Sequence, residues 1–194
     1  GVRAHFAFVA HANVDTLRDN DVMKRLFATA GDESADEGTE SDAISDDALA
    51  AQGIEPKEGV SYSQLQTVLL KKVALNGVMA TERIDGTDHF AFAWKLDERF
   101  SIGDADSKEL SNTWARIERD EVGKPVRTEP RPYAGAAGYL VVSRVPGDDA
   151  ASLLEGEVLL HEPDGWFSGS TLLRSKLPLI IQEGARKLRR GLKK

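Results

Sequence analysis

The sequence predicts an α+β fold in which an antiparallel sheet is followed by one long helix. Residues 89–100, HFAFAWKLDERF, alternate between apolar and polar side chains, which is the period of a β-strand. Further strand-like runs follow at short intervals with turn residues between them, and this spacing favours antiparallel pairing. From Leu173 onward, apolar residues recur every three or four positions, as in an amphipathic helix. With 194 residues, 41% of them hydrophobic, the chain predicts a single domain over 1–194.

The N-terminal part predicts one strand and then short helices. Residues 4–11 place Phe6 and Phe8 on one face, which favours a strand. From residue 14 to 30 the apolar spacing changes to that of one or two amphipathic helices, and Gly31 suits a helix C-terminus. We therefore expect short helices between the first strand and the rest of the sheet.

The tetrapeptide HFAF occurs twice, at residues 5–8 and 89–92. The flanking residues differ, so the repetition indicates a shared strand pattern and not a longer repeat. If the two strands paired, His5 and His89 could face each other, but the metal-binding spacings H-x-H and H-E-x-x-H do not occur. The sequence therefore predicts no metal site.

An acidic stretch interrupts the pattern. Of the sixteen residues in 32–47, eight are acidic and none is basic. Because such a segment buries too little apolar surface to offset its ordering entropy, we expect a mobile loop that ends in a short helix across 46–52. The whole acidic insertion, 32–58, is predicted to be flexible. The calcium-loop spacing D-x-[DN]-x-[DN]-G is absent from it.

The segment after residue 60 allows two interpretations. Ser61 and Gln64 have the spacing of a capping box, and the apolar residues that follow keep helical spacing. The same region contains Asn76-Gly77, a strong hairpin turn signal, and side chains that are acceptable in strands. We favour a helix over 61–71, followed by a strand that ends before the turn at Asp85.

The remaining chain predicts more strands and the final helix. Ser175 is placed to cap that helix, which would put Pro178 in its first turn, where a missing N–H does no harm. Leu177, Ile180 and Gly184 fall on its apolar stripe, and the glycine allows a close approach to whatever the helix covers. The strands before it are expected at 113–120, 126–129, 138–145 and 152–162, with turns at 121–124, 146–149 and 163–165.

Composition and motifs exclude several classes of function. Cysteine is absent, which removes disulfides, thiolate zinc sites and a cysteine nucleophile. G-x-S-x-G, S-x-x-K and the phosphate-binding glycine motifs do not occur. The net charge of −7 makes nucleic-acid binding an unfavourable hypothesis, and no apolar run reaches the length of a membrane span. No export signal is visible, but the abrupt start at Gly1 suggests a trimmed chain, so the compartment, cytoplasmic or exported, stays open.

The basic C-terminus stands out against this acidity. Residues 174–194 contain eight basic residues and one acid, Glu183. One interpretation is that these cations complement the helix dipole. The other is an anionic partner or membrane surface bound by Arg186, Lys187, Arg189 and Arg190.

Two large aromatic residues, Trp166 and Phe167, stand between glycines just before the final helix. They are suited to fixing how the helix joins the core. The alternative is a mobile aromatic gate at the mouth of a pocket.

The order of these elements resembles that of the START-like, helix-grip superfamily of polyketide cyclases and lipid-transfer domains. The resemblance covers most of the chain and rests on element order, not on a motif. It implies a sheet that curls around the last helix and leaves an apolar cavity between them. It implies no catalytic residue. The cavity lining that it implies is Phe90, Phe92, Trp94, Tyr139, Leu159, Trp166, Leu177 and Ile181.

The leading hypothesis is therefore a binding module for a hydrophobic small molecule or lipid, without catalysis and without a cofactor. A cyclase-type or hydrolase-type enzyme using the same cavity is the first alternative. It would need an ionisable group that points inward, and His89 is the first candidate. The second alternative is an interaction protein that docks through its basic helix.

Overall fold

The structure, a computed structural model, describes residues 1–19, 40–101, 110–169 and 171–192. Over these residues the predicted α+β fold is confirmed, as a curled antiparallel sheet that forms a half-barrel with a C-terminal helix. The helices are α1 (Val14–Arg18), α2 (Asp46–Ala51) and α3 (Leu172–Gly191), with 3₁₀ turns at Glu98–Phe100 and Trp166–Gly169. The strands are β1 (Val2–Ala10), β2 (Glu40–Ile44), β3 (Val60–Leu69), β4 (Val73–Asp85), β5 (His89–Leu96), β6 (Thr113–Arg119), β7 (Pro125–Arg127), β8 (Arg131–Pro132), β9 (Ala136–Val145) and β10 (Asp148–Leu160).

The strand order is β1-β10-β9-β5-β4-β3-β2, and each neighbouring pair is antiparallel. One edge of β4 is shared, because Met79–Asp85 pairs with β5 while Val73–Asn76 pairs with β6. Asn112 holds this junction together. Its side chain accepts a hydrogen bond from Val78 N at 2.8 Å and donates to the carbonyl of Asp97 at 2.7 Å.

Helix α3 covers one face of the sheet, called the helix face below, over two separate core clusters. The tryptophan cluster lies under its first half and contains Leu173 and Leu177 of α3 with Trp114, Tyr133 and Trp166. The phenylalanine cluster lies under its last turns. It consists of the buried Val14, Leu17, Phe90, Leu140, Val142, Leu154 and Leu188, with Phe6, Phe8 and Phe92 packed against them.

Among the described residues, the opposite face of the sheet, the outer face, is covered only locally. Helix α2 places Leu49 against Tyr62, Val78 and Phe100, and this group is the outer cluster. Ser45 caps α2 by accepting a hydrogen bond from Ala48 N at 3.2 Å. The predicted short helix after the acidic stretch is therefore confirmed.

The helix predicted over 61–71 is wrong, because this segment is strand β3. Its residues pair continuously with β4, from Val60 opposite Glu82 to Leu69 opposite Val73. The apparent capping box instead makes contacts across the ladder, since Gln64 donates to the side-chain oxygen of Asn76 at 3.2 Å. Pairing along a whole neighbouring strand outweighs a local helical preference.

The hairpin turn in this region lies at Leu70 and Lys71, which adopt φ of 53° and 55°, and not at Asn76-Gly77. Gly77 lies in the middle of β4 for a packing reason. A Cβ at that position would lie 2.7 Å from Leu96 Cδ2, which is too close for any side chain to fit without a rearrangement.

Two other predictions concern segments that the structure describes only in part. Residues 40–44 of the stretch predicted as a loop form the edge strand β2, whereas 32–39 lie outside the described residues. The helical pattern of 14–30 yields α1, and residues 20–30 lie outside the described residues.

The two HFAF strands do not pair, since β10 and β9 separate β1 from β5. No group of three or more potential metal ligands occurs in the part of the chain that the structure describes.

The final helix starts earlier than predicted. Thr171 precedes it instead of Ser175, so Pro178 is an interior residue of α3 and not part of the first turn. A proline there removes the hydrogen bond that would reach the carbonyl of Arg174. Ile180 is exposed, and Ile181 takes the predicted inward place beside Leu177. None of the described helices has the length and apolar character needed to cross a membrane.

Candidate functional site

Between the tryptophan and phenylalanine clusters, one row of paired residues crosses the helix face. We call it the middle row. Each of its residues lies opposite the next on the adjacent strand, and none of them is buried. Apart from Trp94 its side chains are small, and Ala4 packs against the tryptophan cluster. The middle row consists of Ala4, Val158, Gly138, Trp94 and Thr81.

Aromatic rings cover two glycines in and beside this row. A Cβ at Gly138 would lie 2.7 Å from Trp94 Cζ2, and one at Gly156 would lie 2.5 Å from Phe6 Cζ. Both rings therefore lie against the backbone of the neighbouring strand, as aromatic residues do when they cover glycines in curved sheets. Both rings are half-buried, Trp94 over β9 and Phe6 over β10.

The inward stripe of α3 also contains a residue without a side chain. Gly184 lies on the inward stripe of α3, between Leu177 and Leu188, which are buried in the two clusters. A Cβ on Gly184 would meet no atom of the described residues outside its own helical turns within 4 Å. With respect to the described residues, open space therefore lies beside Gly184, between the two points at which α3 is packed on the sheet.

A charged group borders this region at the phenylalanine cluster. Arg83 lies opposite Phe92 on the helix face, and its guanidinium carbon is 5.3 Å from the Phe90 ring centre and 5.4 Å from that of Phe92. It donates two hydrogen bonds to Asp85, at 2.8 and 2.9 Å. These bonds hold the pKa of Asp85 below its usual value, although its partial desolvation opposes the shift.

Arg18, at the end of α1, completes the charged group. Its Nη2 donates to the carbonyls of Gly86 and Thr87, at 2.9 and 3.2 Å, and so ties α1 to the turn between β4 and β5. Its Nε is 4.0 Å from an oxygen of Asp85. That Nε is buried and has no hydrogen-bond partner among the described residues.

The structure brings six of the eight residues predicted to line a cavity to the helix face. Phe90, Phe92 and Trp94 share one face of β5, as the alternation predicted. Trp166, Leu177 and Ile181 belong to the tryptophan cluster. Trp166 and Leu177 are fully packed core residues, so Trp94, Phe92 and Ile181 are the ones left partly accessible.

Tyr139 and Leu159, the other two residues predicted to line a cavity, do not share the helix face. Tyr139 lies opposite Ala93 and Glu157, one residue away from Gly138 of the middle row, and therefore points to the outer face. Leu159 lies opposite Arg3 and is offset in the same way from Val158. The two side chains are 39% and 43% exposed. A one-residue offset reverses the face in a strand, and only the register reveals it.

His89 is also not the inward ionisable group that the enzyme hypothesis requires. It is exposed at the start of β5 and shares the outer face with Ala91 and Ala93. The ionisable residues on the helix face of the β4–β5 hairpin are instead Arg83 and Asp85. The sequence could have assigned Arg83 to the helix face only if the pairing register of β4 with β5 had been known.

Trp166 and Phe167 anchor the beginning of α3. Trp166 stacks on Tyr133 with ring centres 5.4 Å apart and meets Trp114 edge-on at 6.0 Å. Tyr133 in turn donates a hydrogen bond to the carbonyl of His161 at 2.9 Å, and burial raises its pKa. Both aromatic residues are buried, which is the arrangement of a fixed structural anchor.

A concavity of about 270 Å³ lies on the outer face around the buried Asp97. Burial alone would raise the pKa of Asp97, but hydrogen bonds from the side chain and backbone of Arg99 lower it. Arg99 Nη2 lies 2.6 Å from the Asp97 carboxylate and 3.1 Å from the Tyr62 hydroxyl. The carboxylate of Asp97 is thus paired with the neighbouring Arg99, which also contacts Tyr62 of the outer cluster.

The basic residues of α3 make intramolecular contacts. Arg186 and Arg190 lie 3.5 and 2.8 Å from the carboxylate of Glu183. Arg189 donates to the carbonyl of Val9 at 2.8 Å, and its guanidinium lies 5.5 Å from the Phe8 ring centre. Arg189 therefore fastens the end of α3 to β1.

Comparison with protein-family models finds no match, and neither does comparison with curated protein sequences. Among solved structures, a protein from Thermus thermophilus is 13% identical with a TM-score of 0.45, over 98% of this chain and 94% of that one. A conserved protein from Geobacillus kaustophilus is 11% identical with a TM-score of 0.47, over 97% and 93%. An uncharacterised protein from Rhizobium leguminosarum is 13% identical with a TM-score of 0.41, over 100% and 99%. At these identities and scores the likeness assigns neither a family nor a function.

Proposed function

We propose that the protein binds a hydrophobic small molecule or lipid between α3 and the helix face of the sheet. The observation that carries this proposal is the open space that the described residues leave beside Gly184 on the inward stripe of α3, on the same side of the sheet as the half-buried rings of Trp94 and Phe6. An apolar ligand in this space would remove half-exposed aromatic and aliphatic surface from water, which is favourable by about 25 cal/mol per Å². Binding sites of this kind are concave and mostly apolar.

The arrangement of strands supports the helix-grip interpretation. The first strand lies beside the last one, and the C-terminal helix packs against the face that both share. In a START-like domain this is the location of the ligand cavity. Membership in that superfamily is part of the proposal.

The test is to fill the space. Wild-type protein is titrated with N-phenyl-1-naphthylamine, a neutral apolar probe, while probe and tryptophan emission are recorded. Gly184→Leu places a side chain in the open space and should weaken saturable binding by about tenfold or more, the effect of losing ~1.4 kcal/mol. Gln182→Leu, which adds the same side chain at an exposed position of α3, is the matched control and should bind like wild type.

Unchanged affinity in Gly184→Leu, with the variant folded, would show that the probe binds elsewhere. Failure of the wild-type protein to bind the probe or any neutral amphiphile in a saturable way would refute the proposal. Circular dichroism of each variant separates a loss of binding from a loss of structure.

A second role, as an interaction surface for anionic membranes, is favoured by one observation on α3. Leu179 and Ile180 are 54% and 46% exposed, on a helix with Lys176 and Lys187 close by in sequence. Exposed apolar side chains flanked by cations are typical of helices that lie on anionic lipid surfaces.

Vesicle sedimentation separates this role from binding in a cavity. Surface docking requires phosphatidylserine, falls steeply between 50 and 500 mM salt, and is lost in a Leu179→Ser, Ile180→Ser double variant. Equal binding to vesicles of phosphatidylcholine alone, or binding that is insensitive to the double variant, would reject it. Gly184→Leu should leave surface docking unchanged.

A further inference from the structure

We propose that the free edge of β1 pairs with the same edge of a second copy of this chain, so that the two sheets join across a two-fold axis. This inference is independent of the proposed ligand. Strand β1 lies at the end of the strand order, and its nine residues pair only with β10 among the described residues. An open edge of this length presents a row of unpaired backbone groups, which is a template for another strand.

The backbone groups at this edge belong to every second residue of β1. His161 N donates to the carbonyl of Gly135 at 3.0 Å, which extends the β10–β9 ladder and assigns the odd-numbered residues of β10 to β9. The even-numbered residues of β10 therefore bond to β1, and their partners in β1 are also even-numbered. The backbone groups that point away from β10 are those of the exposed residues Arg3, His5, Ala7 and Val9.

Among the described residues, only one of these groups has a partner. The carbonyl of Val9 accepts the hydrogen bond from Arg189 that fastens the end of α3. This carbonyl has a second lone pair, so it can accept a further bond. Strand β1 also lacks the usual protection of an edge, because it contains no proline and its register with β10 has no bulge. By contrast, β2 at the other end of the sheet is only five residues long.

A second β1 fits this edge over its full length in the antiparallel register that puts Phe6 opposite Phe6. In this register the odd-numbered residues of the two strands face each other, as hydrogen-bonded pairs require. His5 lies opposite Ala7 of the second copy, and Arg3 lies opposite Val9. No like charges therefore meet across the axis, which would destabilise the pair.

The side chains on the helix face also suit this pairing. Phe6 and Phe8 are half-buried, with ring centres 6.2 Å apart. In the proposed register Phe6 meets Phe6 and Phe8 meets Ala4 in non-hydrogen-bonded pairs, where side chains approach most closely. Aromatic cross-strand pairs of this kind stabilise a sheet, and they remove half-exposed rings from water.

The size of the contact sets the expected affinity. Nine residues at about 3.4 Å each give an edge about 30 Å long. One strand edge buries less area than the ~1,600 Å² of a standard interface, so the dimer should be weak, with a dissociation constant on the order of 100 µM.

Sedimentation velocity over a concentration range around this value tests the inference. The mass of the wild-type protein should rise from the 21.1 kDa of one chain towards twice that value. Ala7→Pro removes an N–H that points away from β10, a position where an edge strand tolerates proline, and should weaken dimerisation by at least about tenfold. Ala7→Ser is the matched control at the same position, keeps the N–H, and should dimerise like wild type.

Cross-linking tests the register, because the chain contains no cysteine. His5→Cys and Ala7→Cys alter exposed residues that face each other in the proposed register, at the ~5.5 Å between Cα atoms that a disulfide spans. On oxidation of an equal mixture, mass spectrometry should show the mixed dimer in excess over both dimers of a single variant. Ala93→Cys is the control, since Ala93 is exposed on the outer face of the inner strand β5.

A wild-type protein that stays monomeric at every concentration would overturn the inference and leave the edge to an extended segment of another protein. A dimer that Ala7→Pro does not weaken would also overturn it, because the contact would lie elsewhere. If Ala7→Pro does not fold, the cross-link decides. An excess of the mixed dimer, without cross-linking of Ala93→Cys, supports the pairing, and equal amounts of all dimers overturn it.

Discussion

Two glycine-to-alanine substitutions are expected to change stability in opposite directions, because one adds a methyl group to a tightly packed part of the sheet and the other adds it to an open side of α3. At Gly156 the new Cβ would lie 2.5 Å from Phe6 Cζ and 2.6 Å from the carbonyl oxygen of Tyr139. The Phe6 ring can turn, but the carbonyl belongs to the β9–β10 ladder and cannot yield without moving a strand. Overpacking of this kind costs about 1–3 kcal/mol.

At Gly184 the same Cβ would meet no atom of the described residues outside its own helical turns within 4 Å. Alanine is a better helix former than glycine, so Gly184→Ala should stabilise the protein by about 0.5–1 kcal/mol. For a chain of this size each kcal/mol corresponds to about 2–4 °C in the midpoint of thermal unfolding. We therefore expect the midpoint to fall by roughly 2–12 °C for Gly156→Ala and to rise by roughly 1–4 °C for Gly184→Ala.

Thermal unfolding followed by circular dichroism, with urea unfolding at 25 °C as a second measurement, gives both values. A neutral Gly156→Ala would mean that Phe6 does not lie on the β10 backbone. A destabilising Gly184→Ala would mean that the space beside α3 is filled, which would also remove the observation behind the proposed function.

Three further substitutions test the core and its polar groups. Leu177→Asp places an unpaired charge in the tryptophan cluster and should lower the free energy of unfolding by ~4 kcal/mol or more, as measured by urea titration. An unchanged urea midpoint would show that α3 is not packed at this cluster. Asn112→Ala leaves Val78 N without its side-chain acceptor and should cost about 2–4 kcal/mol in the same assay, whereas a loss below about 0.5 kcal/mol would contradict the buried junction. Asp97→Asn should be destabilising at pH 7. Because folding lowers the pKa of Asp97, the contribution of its carboxylate is complete above its unfolded value of about 3.9 and disappears as the pH falls through the folded value. The difference from wild type should therefore shrink between pH 5 and pH 3, and a constant difference would refute the ionic role.

Secondary-structure elements in which apolar residues recur with one clear period could be predicted from the sequence. The alternation in 89–100 predicts β5 and the shared face of Phe90 and Phe92, because a strand places every second side chain on one side regardless of its neighbours. The spacing of Leu173, Leu177 and Leu188 predicts the amphipathic C-terminal helix for the same kind of reason. These are properties of a single element, and each is fixed by its own backbone geometry.

Where the residue pattern of a segment was compatible with both a helix and a strand, pairing with a neighbouring strand determined which of the two formed. Residues 60–69 carry a helical signal, but they pair along their whole length with β4, and this ladder of hydrogen bonds was not visible in the local sequence. The position of the turn at Leu70 and Lys71 follows from that pairing and not from turn residues, since both adopt a left-handed φ without being glycine.

The candidate site depended on tertiary structure more than the fold did. From the sequence, Phe92 and Trp94 could be assigned to one face, but Tyr139 and Leu159 were expected on the same lining although they lie on the outer face. Which side chains of different strands share a face is a matter of register, and a shift of one residue reverses it. The sequence by itself therefore determined the periodic elements and their apolar faces. Only the tertiary structure decided that Trp94 covers Gly138, that Arg83 borders the apolar face, and that open space lies beside Gly184, because each of these depends on distances between segments far apart in the chain.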